Sequence, residues 1–300
     1  MDKTAGEIFD RLTVTKDEVD EYTGERKTDF KIKDTESYVE EVIDYFFNEQ
    51  TSGYPLPFSK MEEEFRIREG ELTIVQGISG HGKSMWLNQV ILYLTKVTKC
   101  LIASFEMRPA ITLTRMIVQS GNQKPTEKYI KEFCTEKKNK LFIYDQEGVT
   151  ESEDIYSCLV WAKEVHSIDV FVIDSLMKIS DVNEDDYESQ KKFVDTLAVL
   201  CRDLKIHIFL VCHTRKVNEY EKPDAEKIMG SSHIRNLADN VICIYRNRSK
   251  EVEIREGKDK DDLHYVPDAF MIVQKQRNYP SEPELNLWFN ELQLRYREKP

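Results

Sequence analysis

Gly77-Ile-Ser-Gly-His-Gly-Lys-Ser84 decides the fold of this chain. It fits the pattern G-x-x-x-x-G-K-[ST]. There the glycines let backbone N–H groups face a β-phosphate at a helix N-terminus, the lysine reaches the β- and γ-phosphates, and the hydroxyl ligates magnesium. The pattern carries that meaning only between a strand and a helix. Both are in place, since the apolar run Leu72 to Gln76 precedes it and a helical stretch begins near Met85. Gly77, Ser79, Gly80, His81, Gly82, Lys83, Ser84 and Met85 are therefore the expected nucleotide-binding residues. ATP, or another NTP or dNTP, and Mg2+ are the expected ligands.

From Gly70 onward short apolar runs alternate with helical stretches. The runs are Leu72 to Gln76, Cys100 to Phe105, Leu141 to Tyr144, Val170 to Ile173, His207 to Cys212 and Asn240 to Tyr245. That alternation predicts an α/β fold with a mostly parallel central sheet and helices on both faces. Ala269 to Lys275 and Leu285 to Tyr296 read as a C-terminal antiparallel addition. Residues 1 to 36 are highly charged with little apolar periodicity and read as a loosely packed arm. Ser37-Tyr-Val-Glu40 is a capping box, and Val39, Val42, Ile43, Phe46 and Phe47 follow at helical spacing, predicting an amphipathic helix over 37–48. The turn-rich Ser52-Gly-Tyr-Pro-Leu-Pro57 then acts as a tether. The expected division is an arm and helix over 1–53 and one α/β domain over 54–300.

Composition sets limits. Of 300 residues, 40% are hydrophobic and 33% charged, the balance of a soluble globular protein. No stretch approaches the ~18 unbroken apolar residues of a membrane span. The N-terminus, MDKTAGEIFDRL, lacks the layout of a signal peptide, so a cytoplasmic protein without membrane contacts is expected. Six cysteines without a Cys-x-x-Cys pair indicate neither a zinc site nor a redox motif, and read as reduced thiols. A net charge of −12 argues against a surface that binds nucleic acid all over, but leaves room for a local basic channel.

A phosphate-binding loop needs a carboxylate at the end of a buried strand, and Val170-Phe-Val-Ile-Asp174 supplies one. Ser84 and Asp174 are the expected metal-site residues. Glu106, in Ala103-Ser-Phe-Glu106-Met107, would project from the carboxyl edge of the sheet, where a general base can orient and deprotonate the attacking water. Taken alone, Glu106 reads more simply as an acid at a helix N-terminus. His213 ends another strand where a polar side chain can sense a γ-phosphate, although a lone histidine is more often structural. Lys275 and Arg277, in Val273-Gln-Lys275-Gln-Arg277-Asn278, are solvated cations on a monomer; in a ring they suit an arginine finger acting on a neighbour.

The ordered set of motifs resembles the RecA-like motor domain of the DnaB family of replicative ring helicases, which includes phage helicase-primases and mitochondrial members. The resemblance runs from about Tyr54 to Tyr296. It implies Glu106 as the catalytic glutamate, Lys83 as the phosphate lysine, Asp174 as the Walker B acid, His213 as the polar sensor, and Lys275 and Arg277 as the finger motif. It also implies that Met229 to Asp239 helps contact DNA. A further implication is a hexameric ring that translocates 5′ to 3′ on single-stranded DNA and unwinds forked duplex with NTP hydrolysis. Candidate DNA contacts are Lys178, Arg215, Lys216, Lys222, Lys227, Gly230, Ser231, Ser232 and Arg235, each lysine or arginine reading equally as a solvated cation. The helix over 37–48 resembles the family's linker helix, which packs on the adjacent subunit; docking within its own chain is the simpler alternative.

Two departures stand out. The residues ahead of the motor are too few for a primase or a helical N-terminal domain, so a separate primase, loader or polymerase is expected as partner. The stretch after Asp174 is acidic, with Asp181, Glu184, Asp185, Asp186 and Glu188, which disfavours a phosphate contact there. The main alternative is a RecA-like recombinase or regulatory DNA-binding ATPase without unwinding activity. A further one is an ATP-switched assembly factor, against which the general base Glu106 counts.

Overall fold

The computed structural model describes residues 33–48, 53–121, 124–146, 148–182, 186–213, 220, 232–259 and 262–300. Contacts divide the chain into two units, Met1–Gln50 and Thr51–Pro300. In the first, helix α1 (Val39–Asn48) follows a 3-10 turn over Glu36–Tyr38. Asp34 Oδ1 accepts from Ser37 N at 3.0 Å and Ser37 Oγ at 2.9 Å, so the accepting cap is Asp34 rather than the expected Ser37. The chain is already helical at Ser37, and its hydroxyl donates backwards. Val42, Ile43, Phe46 and Phe47 are exposed, the two phenylalanines at 82% and 81%.

The second unit starts with a small antiparallel pair, β1 (Tyr54–Pro55) and β2 (Arg66–Ile67). The main strands are β3 (Leu72–Gly77), β4 (Cys100–Ser104), β5 (Leu141–Ile143), β6 (Val170–Asp174), β7 (His207–His213), β8 (Asn240–Arg246), β9 (Ala269–Lys275), β10 (Glu284–Asn290) and β11 (Arg295–Arg297). They form one sheet in the order β11-β10-β9-β8-β3-β7-β6-β4-β5. Pairing is parallel from β8 through β5 and antiparallel from β8 through β11. This is the expected architecture, with Leu285 to Tyr296 divided into β10 and β11. The helices of this unit are α2 (Lys83–Leu94), α3 (Pro109–Gln119), α4 (Glu127–Lys137), α5 (Ser152–His166), α6 (Tyr187–Leu204), α7 (Ser232–Leu237) and α8 (Arg248–Arg255).

Side chains along a strand alternate between faces, and here both faces are apolar. Leu72 and Ile74, Phe171 and Ile173, and Ile208 and Leu210 enter one core, which Leu159 of α5 and Phe193 and Leu197 of α6 complete. Val75, Val170 and Val172, and Phe209 and Val211 enter the other, with Trp86, Val90 and Ile91 of α2. A one-residue slip of any central strand would exchange its two sets of side chains between cores of different shape, so the register is fixed by packing.

Helix α2 is held on its outer side by β11. The Gln89 side-chain amide donates to Tyr296 O at 3.0 Å and accepts from Tyr296 N at 2.8 Å, copying a strand partner. This sets the Tyr296 hydroxyl directly against Gly82, whose φ is +88°. A Cβ at Gly82 would collide with that hydroxyl, and one at Gly77 would collide with the Ile244 carbonyl of β8. The two glycines are required by close approach as well as by backbone conformation. Gly82→Ala is expected to weaken nucleotide binding at least about tenfold, or about 1.4 kcal/mol. Adding Tyr296→Phe should recover part of that loss, the remainder being the cost of a left-handed backbone at a residue with a Cβ. Titration with a fluorescent nucleotide checks both.

Candidate functional site

Parallel pairing brings the functional strand ends to one edge of the sheet. Gly77 of β3 stands opposite His213 of β7, and Ser104 of β4 stands opposite Asp174 of β6. Phe105 N continues the ladder to Asp174 O at 2.8 Å, which delivers Glu106 beside Ser175. The peptide bond between Asp174 and Ser175 is cis.

Two sets of polar contacts result, joined through the Asp174–Ser175 backbone. Ser84 Oγ donates to Asp174 Oδ2 at 2.7 Å, and Ser175 Oγ donates to Glu106 Oε1 at 2.8 Å. His213 Nε2 lies 3.4 Å from Glu106 Oε1, while its Nδ1 lies 3.4 Å from Lys83 Nζ. Lys83 Nζ donates to the carbonyls of Gly77 at 2.8 Å and Ile78 at 3.1 Å. Thus Lys83, Ser84, Glu106, Asp174 and His213, all named from the sequence, come together. Ser175 was missed; its only signal was a hydroxyl next to the strand-terminal acid.

The two carboxylates sit in opposed environments. His213 beside it holds the Glu106 carboxyl down to about 2, Ser175 adds to the effect, and partial burial opposes it. Glu106 is therefore ionised at neutral pH. Burial pushes Asp174 up against the hydrogen bond from Ser84, and burial pushes Lys83 down against the attraction of Asp174 and Glu106. A divalent cation beside a buried carboxylate favours its ionised form and opposes the effect of burial. Ser84 and Asp174 offer hard oxygen donors of the kind magnesium takes from a protein when substrate phosphates and water complete the shell. Among the described residues no group of three His, Cys, Asp or Glu side chains stands together as a metal site.

Not every loop residue faces the ligand side. The His81 ring is fully buried, accepts from Arg246 N at 3.1 Å and is lowered to about 4 by burial, so this residue serves the loop through its backbone. A cleft of about 580 Å³ runs from Ser79–Met85 past Glu106 and Arg115 to Arg246, Glu251, Ile254, Phe289 and Tyr296. That volume is in the range of nucleotide-sized ligands. Its far wall comes from β8, α8 and β10, whose sequences carry no motif that announces a ligand.

Lys275 and Arg277 stand at the opposite edge. Lys275 pairs in register with Val241, which pairs with Ile74 near the start of β3. Three steps from Ile74 to Gly77, about 10 Å, separate that level from the phosphate loop of the same chain, and Arg277 lies two residues beyond Lys275. Lys275 Nζ donates to Arg235 O, Asn236 O and Ala238 O, and Arg277 Nε pairs with Asp239 Oδ1 at 3.2 Å. Of the candidate DNA contacts, Lys178 ends a 3-10 turn over Leu176–Lys178, Ser232 opens α7 and Arg235 lies half-buried within it. Arg215, Lys216, Lys222, Lys227, Gly230 and Ser231 lie outside the described residues. The acidic stretch is partly structural: Asp181 accepts from Ser152 N at 2.8 Å and from Ser152 Oγ, and Asp186 accepts from Glu188 N at 3.0 Å and Ser189 N at 3.2 Å. Both carboxylates cap helix N-termini, at α5 and α6. Glu184 and Asp185 lie outside the described residues.

The family description "DnaB-like helicase C terminal domain" matches residues 58–298. Two solved structures share the fold. One, an ATPase domain, superposes with a TM-score of 0.71 at 15% identity, covering 88% of this chain and 99% of its own. A DnaB-like replicative helicase, described with its interactions with primase, gives 0.71 at 16% identity over 89% of this chain and 68% of its own. No helix among the described residues is long and apolar enough to cross a membrane. With the loop, the strand-end carboxylates and the sheet order in place, the chain belongs to the DnaB-like helicase C-terminal domain family, whose members are NTP-hydrolysing replicative helicases.

Proposed function

We propose that this domain is the motor of a replicative DNA helicase that works as a hexameric ring, moving 5′ to 3′ on single-stranded DNA and separating duplex at a fork. The observation that carries the ring is the placement of Arg277 on the sheet edge opposite Gly77–Ser84. A guanidinium there is out of reach of its own nucleotide and available to a neighbour's γ-phosphate, where it stabilises the charge that develops during transfer. The exposed stripe Val42, Ile43, Phe46 and Phe47 on α1 supports self-association, with a second copy of the chain as its partner.

The chain's own groups divide the work. Lys83 exchanges the Gly77 and Ile78 carbonyls for phosphate oxygens, and backbone N–H groups of Ser79 to Met85 line the phosphates. Glu106, kept ionised, accepts from the attacking water, orients it in line with the γ-phosphorus and receives its proton as the new P–O bond forms and the β–γ bridge breaks. His213, between Lys83 and Glu106, registers whether that phosphate is present. Ser84 and Asp174 would hold magnesium, which neutralises charge on the β- and γ-phosphate oxygens. Lys178, Arg235, Ser232 and the segment with Arg215, Lys216, Lys222, Lys227, Gly230 and Ser231 form the DNA channel. A separate primase, loader or polymerase completes the replication assembly.

Glu106→Gln is expected to lower NTP turnover by about 10²–10⁴-fold while nucleotide binding persists, measured by phosphate release and equilibrium titration. Equal loss of binding would instead make Glu106 structural. Phe46→Glu with Phe47→Glu should shift the chain from ring to monomer in light scattering and leave nucleotide binding intact. The decisive assay is strand displacement on a forked duplex with ATP and dTTP, comparing wild type with Lys83→Ala. Wild-type displacement that the substitution abolishes is expected; DNA-stimulated hydrolysis without displacement would favour the recombinase or regulatory alternative.

A further inference from the structure

Gln119 closes helix α3 and is fully buried. Its side-chain amide nitrogen donates twice, to Met85 O in the first turn of α2 at 2.9 Å and to Leu294 O in the turn between β10 and β11 at 2.8 Å. A carboxamide has two N–H donors, so both are used. Met85 and Leu294 line the cleft that starts at the phosphate loop, whereas Gln119 itself does not. Leu294 has a φ of +52°, a left-handed backbone that a leucine adopts only where its surroundings hold it. The adjoining Arg295 borders a cavity of about 340 Å³, shared with Tyr93, Gln119, Tyr129 and Phe133, so packing around this turn is incomplete. A hydrogen bond at the Leu294 carbonyl therefore matters more than it would in a fully packed turn.

The cleft has two unlike ends. Glu106, Asp174 and His213 stand with Lys83 and Ser84 where the γ-phosphate is cleaved, while Phe289, Leu294 and Tyr296 bring apolar and aromatic surface with no group that the reaction uses. Such surface suits a base and a sugar. We propose that Gln119 is a positioning residue for the nucleoside half of the substrate: its carboxamide ties the Leu294 turn to the first turn of α2, and so fixes the distance between the phosphate loop and the wall on which base and sugar rest. The inference rests on the nucleotide reading of the cleft. Gln89 anchors Tyr296 two residues further on, so two glutamines, one on α2 and one on α3, fasten a single segment beside the loop. Loss of Gln119 loosens the grip on the nucleoside in ground state and transition state alike, which raises KM and leaves kcat alone.

The test is steady-state hydrolysis of ATP and of dTTP by the full chain, with an oligothymidylate present, for wild type, Gln119→Met and Gln119→Asn. Methionine keeps the length of the side chain and removes both donors. Asparagine keeps the amide one methylene short of its partners, and stands in if Gln119→Met does not fold. Either substitution should raise KM at least about threefold, within what one hydrogen bond is worth, with kcat inside about twofold of wild type. A KM that rises by less than about threefold overturns the proposal. So does a kcat that falls by more than about twofold: alone it marks a general loss of folded enzyme, and together with a raised KM it means that the amide holds the phosphate loop itself. Wild-type protein that hydrolyses neither nucleotide overturns the nucleotide reading instead, and is recognised before any substitution is made.

Discussion

Parallel pairing of β3, β4, β6 and β7 is the constraint on which the rest of the structure depends. Strands that run the same way must end at the same edge, so a lysine-bearing loop, two carboxylates and a histidine from distant parts of the chain meet without long connecting loops. Two dissimilar apolar cores hold the register, and the register holds the chemistry. Glu106, Asp174 and His213 each lie at or just beyond the end of a buried strand, and Lys83 and Ser84 open the helix that follows β3.

The same edge separates two carboxylates by environment. Asp174 is buried and raised toward its neutral form, while Glu106 is half-open and held strongly ionised by His213 and Ser175. The first environment suits a partner of positive charge, the second a donor from solvent. Their roles derive from surroundings rather than residue type, which is how a single edge accommodates both functions.

Much of this was legible in the sequence, for identifiable physical reasons. Strands buried on both faces are continuous apolar runs, so Leu72 to Gln76, Val170 to Ile173 and His207 to Cys212 could be read directly, and the glycine loop between strand and helix fixed the nucleotide edge. Long-range contacts could not be read. Ser175 against Glu106, Tyr296 against Gly82 and Lys275 against the end of α7 join residues with no shared periodicity, and only the assembled sheet brings them together. The amphipathic pattern of α1 was visible, but its cap was not, because Asp34 and Ser37 are both good caps and the choice depends on where the first turn begins. The acidic stretch after Asp174 read as a repulsive surface, whereas Asp181 and Asp186 hold backbone N–H groups at the starts of α5 and α6.

The contact between Tyr296 and Gly82 bears on synthesis. Gln89 and Tyr296 are 207 residues apart, yet β11 lies against the helix that opens from the phosphate loop. During translation the glycine loop emerges early and its shaping strand much later. A ribosome-bound chain can pair β3 with β7 and already form much of its central sheet, but the loop lacks its outer wall until β11 has left the exit tunnel. The phosphate loop therefore takes its final shape only after a strand made more than two hundred residues later has docked on α2.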